Sequence, residues 1–338
     1  MTKLSIIIPA YNAEEYIENC LRSCVSQDLD ATWYEILVIN DGSRDNTEEL
    51  VNKFSEAHPN VQLITQENQG NGAARNTGVK HANGDYIYFL DADDYIAEDT
   101  LGKLVFLVFE HDLDVLGFSS INVVDSEQKM AKQRPMEVDM EVVQSGIDFL
   151  ATYNYKAEVW WYLIKKSFYK KSGTTFYDRK FVQDSYLTPT LFSKAQRAAF
   201  IYLDVHRYRK SPNSITRRKT PEHLNRHFKD LSFSIATLYK LRKQLEAQKV
   251  NPMALKRLHA KQQRYVFIVI VRFIKSGLPI EQLKTMLSEY KDLEAYPMDK
   301  FMSIPDYRSL SYRILTALFN KENILYRMIS IYRLVRPS

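Results

Sequence analysis

A doubly wound α/β fold with a mainly parallel sheet and helices on both faces, followed by a helical region, is what this chain predicts. Three observations predict it. Short apolar runs alternate with helical stretches four times within the first 120 residues. The polar, glycine-bearing connections follow those runs, at the strand ends where open α/β sheets bind ligands. From Pro221 onward the spacing is helical only, interrupted near Asn251-Pro252, Gly277-Leu278-Pro279, Pro297 and Pro305.

Leu4-Ser5-Ile6-Ile7-Ile8-Pro9 reads as a buried strand stopped by proline, and Glu14 to Gln27 carries helical spacing with Asn12 as its N-cap. Glu35 to Asn40 is a second strand, Asp41-Gly42-Ser43 a turn, and Asp45 to Glu49 an acidic helix start. Val61 to Thr65 is a third strand, followed by a polar loop and a helix over Ala73 to Ala82. Tyr86 to Leu90 is the fourth, and Asp91, Ala92, Asp93 and Asp94 stand at its carboxyl end. Residues 120–145 read as a polar excursion, Trp160 to Ile164 as an aromatic block, and Ser185 to Lys194 as a helix.

The 338 residues are 45% hydrophobic and 26% charged, an ordinary folded mixture with room for one large or two ordinary domains. No stretch approaches the ~18 apolar residues that span a bilayer. The longest, Tyr265 to Ile274, contains Arg272. No apolar segment precedes the first strand, and Cys20 and Cys24 suit reduced thiols, so a cytoplasmic protein is expected. The net charge of +5 hides a gradient: −14 over residues 1–120, +5 over 121–216 and +14 over 217–338.

Three carboxylates within four residues repel one another and call for a cation. An oxygen-only ligand set favours Mg²⁺ or Mn²⁺, which keeps waters and shares its positions with substrate phosphates. Three other connections reach the same rim: Pro9-Ala10-Tyr11-Asn12, Asp41-Gly42-Ser43, and Gln69 to Asn76. Tyr11 and Asp41 suit stacking on a base and accepting its N–H. Gly70, Gly72, a helix N-terminus and Arg75 suit an anion. Base, diphosphate and cation are thus all provided for, as a nucleotide diphosphate donor requires. Arg75 stands where a dinucleotide fingerprint has its third glycine, and no phosphate-loop lysine is present, which sets both of those motifs aside.

With these residues the chain resembles the inverting family 2 glycosyltransferases of the GT-A fold. The resemblance rests on Ile7 to Asn12, Val38 to Ser43, Asn68-Gln69-Gly70-x-Gly72-x-Ala74-Arg75-Asn76-x-Gly78, and Asp85 to Asp94. It is close over roughly the first hundred residues. It implies a GT-A catalytic domain over 1–217, with a nucleotide-sugar and metal half (1–120) and an acceptor half (121–217), and a basic helical region over 218–338. It further implies that Pro9, Tyr11, Asn12 and Asp41 hold the nucleoside, commonly of a UDP-sugar. Gly70 and Arg75 would serve the diphosphate, Asp93 and Asp91 the Mn²⁺ or Mg²⁺. The family's later Glu-Asp pair reads Gln183-Asp184 here, and the base that deprotonates the acceptor is carried to Asp184 alone.

A single-displacement transfer needs such a carboxylate opposite the departing diphosphate. Arg207 or Arg209, within a segment resembling the family's closing loop, would reach the diphosphate, with His206 adding a metal or phosphate contact. Of Trp160 and Trp161, adjacent on a strand and facing opposite sides, Trp160 is the candidate sugar platform. The acceptor expected is a hydroxyl of a glycan or lipid-linked saccharide in cell-surface polysaccharide synthesis.

The basic C-terminal helices, with apolar stripes, would lie on an anionic inner membrane face, or pack on the catalytic domain or a second subunit. Nothing beyond charge points to nucleic acid. A sugar-phosphate nucleotidyltransferase is the alternative enzyme, although it calls for a longer basic loop after the first strand. A non-catalytic sugar-nucleotide-binding scaffold is the other alternative, supported by Gln183 alone.

Overall fold

The computed structural model describes residues 2–123, 140–177, 184–210, 221–299, 301 and 309–335. The chain divides into two compact units. One takes Met1–Phe149, Lys156–Lys180 and Thr190–Ser214; the other takes Leu150–Tyr155, Phe181–Pro189 and Ile215–Ser338.

In the first unit, β1 (Leu4–Ala10), β2 (Tyr34–Asn40) and β4 (Tyr86–Phe89) are buried along their whole length, as parallel strands covered on both faces should be. With β3 (Val61–Thr65), β5 (Tyr95–Ile96), β6 (Val115–Val123), β7 (Tyr162–Lys165) and β8 (Ala198–Arg209) they form an eight-stranded sheet. Its order is β3-β2-β1-β4-β7-β6-β8-β5. The first four strands in that order run parallel, whereas β7 pairs antiparallel with both β4 and β6. The regular alternation thus ends in a mixed sheet. All four parallel strands aim their carboxyl ends at one rim.

Helices α1 (Ile17–Val25), α2 (Thr47–Ala57), α3 (Asn71–His81) and α4 (Leu101–Glu110) follow the first strands, and α5 (Gly146–Thr152), α6 (Lys166–Ser172) and α7 (Asp184–Lys194) come later. Ile17, Cys20, Leu21 and Cys24 bury against Ile6, Ile8, Ile36 and Val38 in one core. Both cysteines are free and buried, so they serve here as small apolar residues. On α3, a Cβ on Gly78 would stand 2.3 Å from Ile7 Cγ2, so the missing side chain is what lets this helix lie on β1.

At the end of the sheet opposite the rim, buried Glu35 accepts from Ser5 Oγ (2.5 Å), Asn83 N (2.5 Å) and Asn83 Nδ2 (3.0 Å). One carboxylate therefore staples β1, β2 and the entry to β4. The expected cap at Asn12 is not formed. Tyr16 occupies the N-cap position of α1, and Asn12, at φ 49°, turns its carboxamide toward the neighbouring loop.

In the second unit, α8 (Pro221–Ala247), α9 (Pro252–Ile274), α10 (Ile280–Asp292) and α11 (Leu310–Phe319) are separated where proline and glycine predict, whereas the break between α11 and α12 (Glu322–Val335), at Asn320-Lys321, carries neither residue. Asn251 caps α9 through Met253 N, with Pro252 at its first turn. Buried Gln262 donates to the carbonyls of Ile235 and Leu293, and Arg242 pairs with Glu246 and Glu294 at 2.6 Å each. Among the described residues, no helix is long and apolar enough to cross a membrane.

The contact at Gly78 yields a test. Gly78→Ala should lower unfolding stability by about 1–3 kcal/mol, as overpacking in a close-packed interior does, measured by urea denaturation. An unchanged midpoint would mean that Ile7 has room to move.

Candidate functional site

The rim at the ends of β1, β2, β3 and β4 is built by loops that hold one another. Asn12 N donates to Ser43 Oγ (3.1 Å), and Arg44 N donates back to Asn12 Oδ1 (2.8 Å). Ala13 N reaches Thr47 Oγ1, Glu14 N reaches Asp45 Oδ2, and Asn46 donates twice to Glu14 Oε2. The connections after β1 and β2 are thereby clasped. Tyr11 projects from this clasp, 46% exposed, an aromatic face with room to stack, while Pro9 is a buried residue of β1.

Asp41 is 2% exposed and does more than face a base. Its Oδ1 accepts from Gln66 Nε2 (2.8 Å) and Gln69 N (2.9 Å), and its Oδ2 accepts from Gly70 N (2.7 Å). It therefore fixes the loop that opens α3. Gly70 caps that helix at φ 93°, a conformation that side chains rarely adopt. The first amides of α3 and the guanidinium of Arg75 follow directly.

Arg75 is 4% exposed and donates from Nη2 to Asp91 Oδ1 at 2.6 Å, with Phe176 5.2 Å from the guanidinium. The neighbouring Asn76 exchanges hydrogen bonds with Phe176: its Nδ2 donates to the Phe176 carbonyl, and its Oδ1 accepts from Phe176 N. The arginine is thus held from both sides. Asp91 is partly exposed and pairs with this cation, whereas the Asp93 carboxylate has its own backbone N–H and, at longer range, the charge of Arg209 acting in its favour.

Asp94 is served from β8. Its Oδ1 accepts from Arg209 N (2.8 Å) and its Oδ2 faces His206 Nε2 at 2.9 Å; the other ring nitrogen of His206 lies 2.8 Å from Tyr88 OH. Burial pushes the Tyr88 hydroxyl well up, so it keeps its proton. Burial also drives His206 down to about 3. The ring is neutral and bridges Tyr88 and Asp94 through its two nitrogens. Trp160, 6% exposed, lies flat on His206 with centroids 4.2 Å apart.

His206 is therefore an interior bridge between β4 and the acidic turn, rather than a free metal or phosphate contact. Trp160 backs that bridge, and Trp161 stacks on Phe192. Arg207 is buried and donates to the Asp204 carbonyl, while the buried Arg209 guanidinium sits 5.0 Å from the Tyr16 ring. Asp184 is the first residue of α7. Gln183 and residues 211–220, which follow Arg209 and Lys210 in the segment read as a closing loop, lie outside the described residues.

The structure thus brings Tyr11, Asn12, Asp41, Gly70, Arg75, Asp91 and Asp93 to one rim and places Trp160 and Arg207 in the interior. Sequence reading missed Asn76, Tyr88 and the structural use of His206. Only the spacing of Asn76 within its motif marked it beforehand.

The family model for "Glycosyl transferase family 2" matches residues 5–184, more than half of the chain. The chain belongs to glycosyl transferase family 2. It is a glycosyltransferase of that family, and its helical C-terminal region lies beyond the matched segment. It is 28% identical over 234 residues to the uncharacterized glycosyltransferase EpsJ of Bacillus subtilis, covering 67% of each chain. It is 35% identical over 143 residues to the poly(ribitol-phosphate) beta-N-acetylglucosaminyltransferase TarS of Staphylococcus aureus, covering 41% of this chain but 25% of that one. A crystal structure of S. aureus TarS 1–349 in complex with UDP-GlcNAc superposes with a TM-score of 0.70 over 99% of this chain and 93% of that one. At 18% identity this likeness speaks to the GT-A-like fold.

Whether the residues fit a divalent ion follows from their charges. Burial, then the charges of Asp94 and Asp91, raise the Asp93 carboxyl from 3.8 to about 7. Burial likewise raises Asp94. Asp93 thus ionises against desolvation and two like charges, with Arg209 opposing them. No group of three or more metal-ligating side chains is assembled among the described residues. One or two carboxylates completed by water and diphosphate oxygens suit Mn²⁺ or Mg²⁺.

The Asp93 shift has a measurable sign. The folded chain keeps a proton on Asp93 that the unfolded chain releases near 3.8, so metal-free stability falls as pH rises from about 4 through about 7. In EDTA at pH 8, Asp93→Asn should melt roughly 2–5 °C above the parent, and the gap should close below pH ~4. Equal melting temperatures at pH 8 would mean that the carboxylate is already neutralised.

Proposed function

We propose that the protein transfers a sugar from a UDP-sugar to a hydroxyl of a glycan or lipid-linked acceptor, with inversion at the anomeric carbon and a divalent metal bound. The observation that carries this reading is the Arg75–Asp91 pair beside Asp93, whose carboxyl is raised to about 7, on a rim that also presents Tyr11 and the amides of α3. The UDP-GlcNAc held by the TarS structure supports a UDP-sugar donor, and the poly(ribitol-phosphate) transferases among the relatives support a surface-polymer acceptor.

Tyr11 stacks on the base. A carboxylate has about four acceptor positions, and Asp41 spends three on its loop, leaving one for the base N–H. Asn12 and Pro9 hold the shape of that pocket. Arg75 and the α3 amides take the diphosphate, and Arg209 adds positive charge beside the acidic turn. Asp93, with Asp91, would hold the Mn²⁺ or Mg²⁺. When bound, the ion neutralises charge that develops on the leaving diphosphate.

Asp184 accepts the proton of the acceptor hydroxyl as the oxygen attacks the anomeric carbon. The bond from that carbon to the diphosphate breaks on the opposite face, and UDP leaves with the electron pair. Departing charge meets Arg75 and helix amides fixed beforehand, the kind of stabilisation that contributes most to many enzymes.

Incubation with UDP-, GDP-, CMP- and dTDP-sugars, followed by nucleotide release and the anomeric configuration of the product by NMR, tests this reading. UDP-sugars should turn over with inversion. Asp184→Asn should cut turnover by roughly 10²–10⁴, the range of general base catalysis, with nucleotide affinity unchanged. Full turnover by Asp184→Asn would remove the base assignment.

A further inference from the structure

The second unit carries two helices with an inner and an outer apolar face. On α11 the inner face is seated: Phe319 and Tyr312 lie 5.4 and 5.1 Å from the Phe267 ring, and Thr316 and Phe319 are buried. On its outer face, Leu310 is 69% and Ile314 53% exposed, with Arg313 and Ala317 exposed beside them at helical spacing. On α12, Leu325 and Ile329 are buried, while Ile331, Leu334 and Val335 are 61%, 83% and 74% exposed.

The charges around these side chains have one sign. Residues 309–335 contain a single acidic side chain, Glu322, which is paired with Lys291 at 2.5 Å. Arg333 turns inward to the Leu278 carbonyl. Arg313, Lys321 and Arg327 are left exposed. Five exposed aliphatic side chains bordered by unopposed cations are the composition of a helix at the boundary of headgroups and acyl chains. Nucleic acid needs the cations and leaves the aliphatics unused. A second copy would set two regions of +14 against each other.

We propose that the outer faces of α11 and α12 dock on an anionic lipid bilayer surface, the aliphatic side chains entering the interface and Arg313, Lys321 and Arg327 meeting lipid phosphates. The proposal deepens the reading of a lipid-linked acceptor and rests on it for its purpose.

Co-sedimentation of the full chain with phosphatidylcholine vesicles, with and without about 30% phosphatidylglycerol, tests it, since only the second carries the surface potential that draws cations. Binding should need the anionic lipid and weaken with salt. Ile314→Ser with Leu334→Ser, and separately Arg313→Gln with Arg327→Gln, should each reduce it roughly tenfold. These positions are exposed, so folding is expected to persist, and circular dichroism checks it.

Absence of binding to anionic vesicles, or equal binding by parent and variants, overturns the proposal. So does a dimer by light scattering that Leu334→Ser converts to monomer, which would assign the face to a second copy. Hydrolysis of a soluble UDP-sugar, followed in the same samples, separates the two readings: hydrolysis without vesicle binding removes the docking alone, and binding without hydrolysis removes the catalytic reading alone.

Discussion

Negative charge packed at the end of a buried strand is the constraint on which the rest of the first unit depends. Strand β4 delivers Asp91, Asp93 and Asp94 to a place where water cannot fully solvate them, and each must be answered or carry a raised pKa. Asp91 is answered by Arg75 from α3. Asp94 is answered by a backbone N–H and a neutral imidazole from β8, an element more than a hundred residues later in the chain. Asp93 carries the raised pKa, with its own backbone N–H and the charge of Arg209 as the opposing influences. The fold thus holds three carboxylates close together at one strand end, two of them, Asp93 and Asp94, with raised pKa values.

The same economy governs the loops around it. Backbone amides that would otherwise need water are taken by Ser43, Thr47, Asp45, Asp41 and Glu14, so the rim is held by short-range bonds between connections rather than by a core of its own. Each such bond contributes about 1 kcal/mol, more where a carboxylate accepts. The consequence is preorganisation: the α3 amides, Gly70 and Arg75 are held in place by the chain itself. Asp41 joins both roles, because the carboxylate suited to a base N–H is also the one that fixes the Gly70 loop.

Much of this was legible in the sequence, and the exceptions have physical reasons. Continuous apolar runs marked β1, β2 and β4 because strands buried on both faces have no polar side to hide. Proline and glycine marked the breaks between α8, α9 and α10 because those residues cannot continue a helix. The motifs marked Asp91, Asp93, Arg75 and Gly70 because charge and glycine are rarely bland at a strand end. The interior role of His206 was not legible, since a histidine beside two arginines reads as a cationic loop until a tryptophan is found lying on it. Nor was the role of Asn12, which looks like a helix cap but answers a neighbouring loop. Pairings across long sequence separation leave no local pattern, and β8 supplies those that reach Asp94.

The central claim is that the acidic turn binds nucleotide through a metal, and calorimetric titration with UDP in Mn²⁺ and in EDTA tests it most directly. The account predicts UDP binding at least tenfold tighter in Mn²⁺ for the parent, and equally weak binding under both conditions for Asp93→Asn. Equal UDP affinity of the parent with and without metal would contradict it.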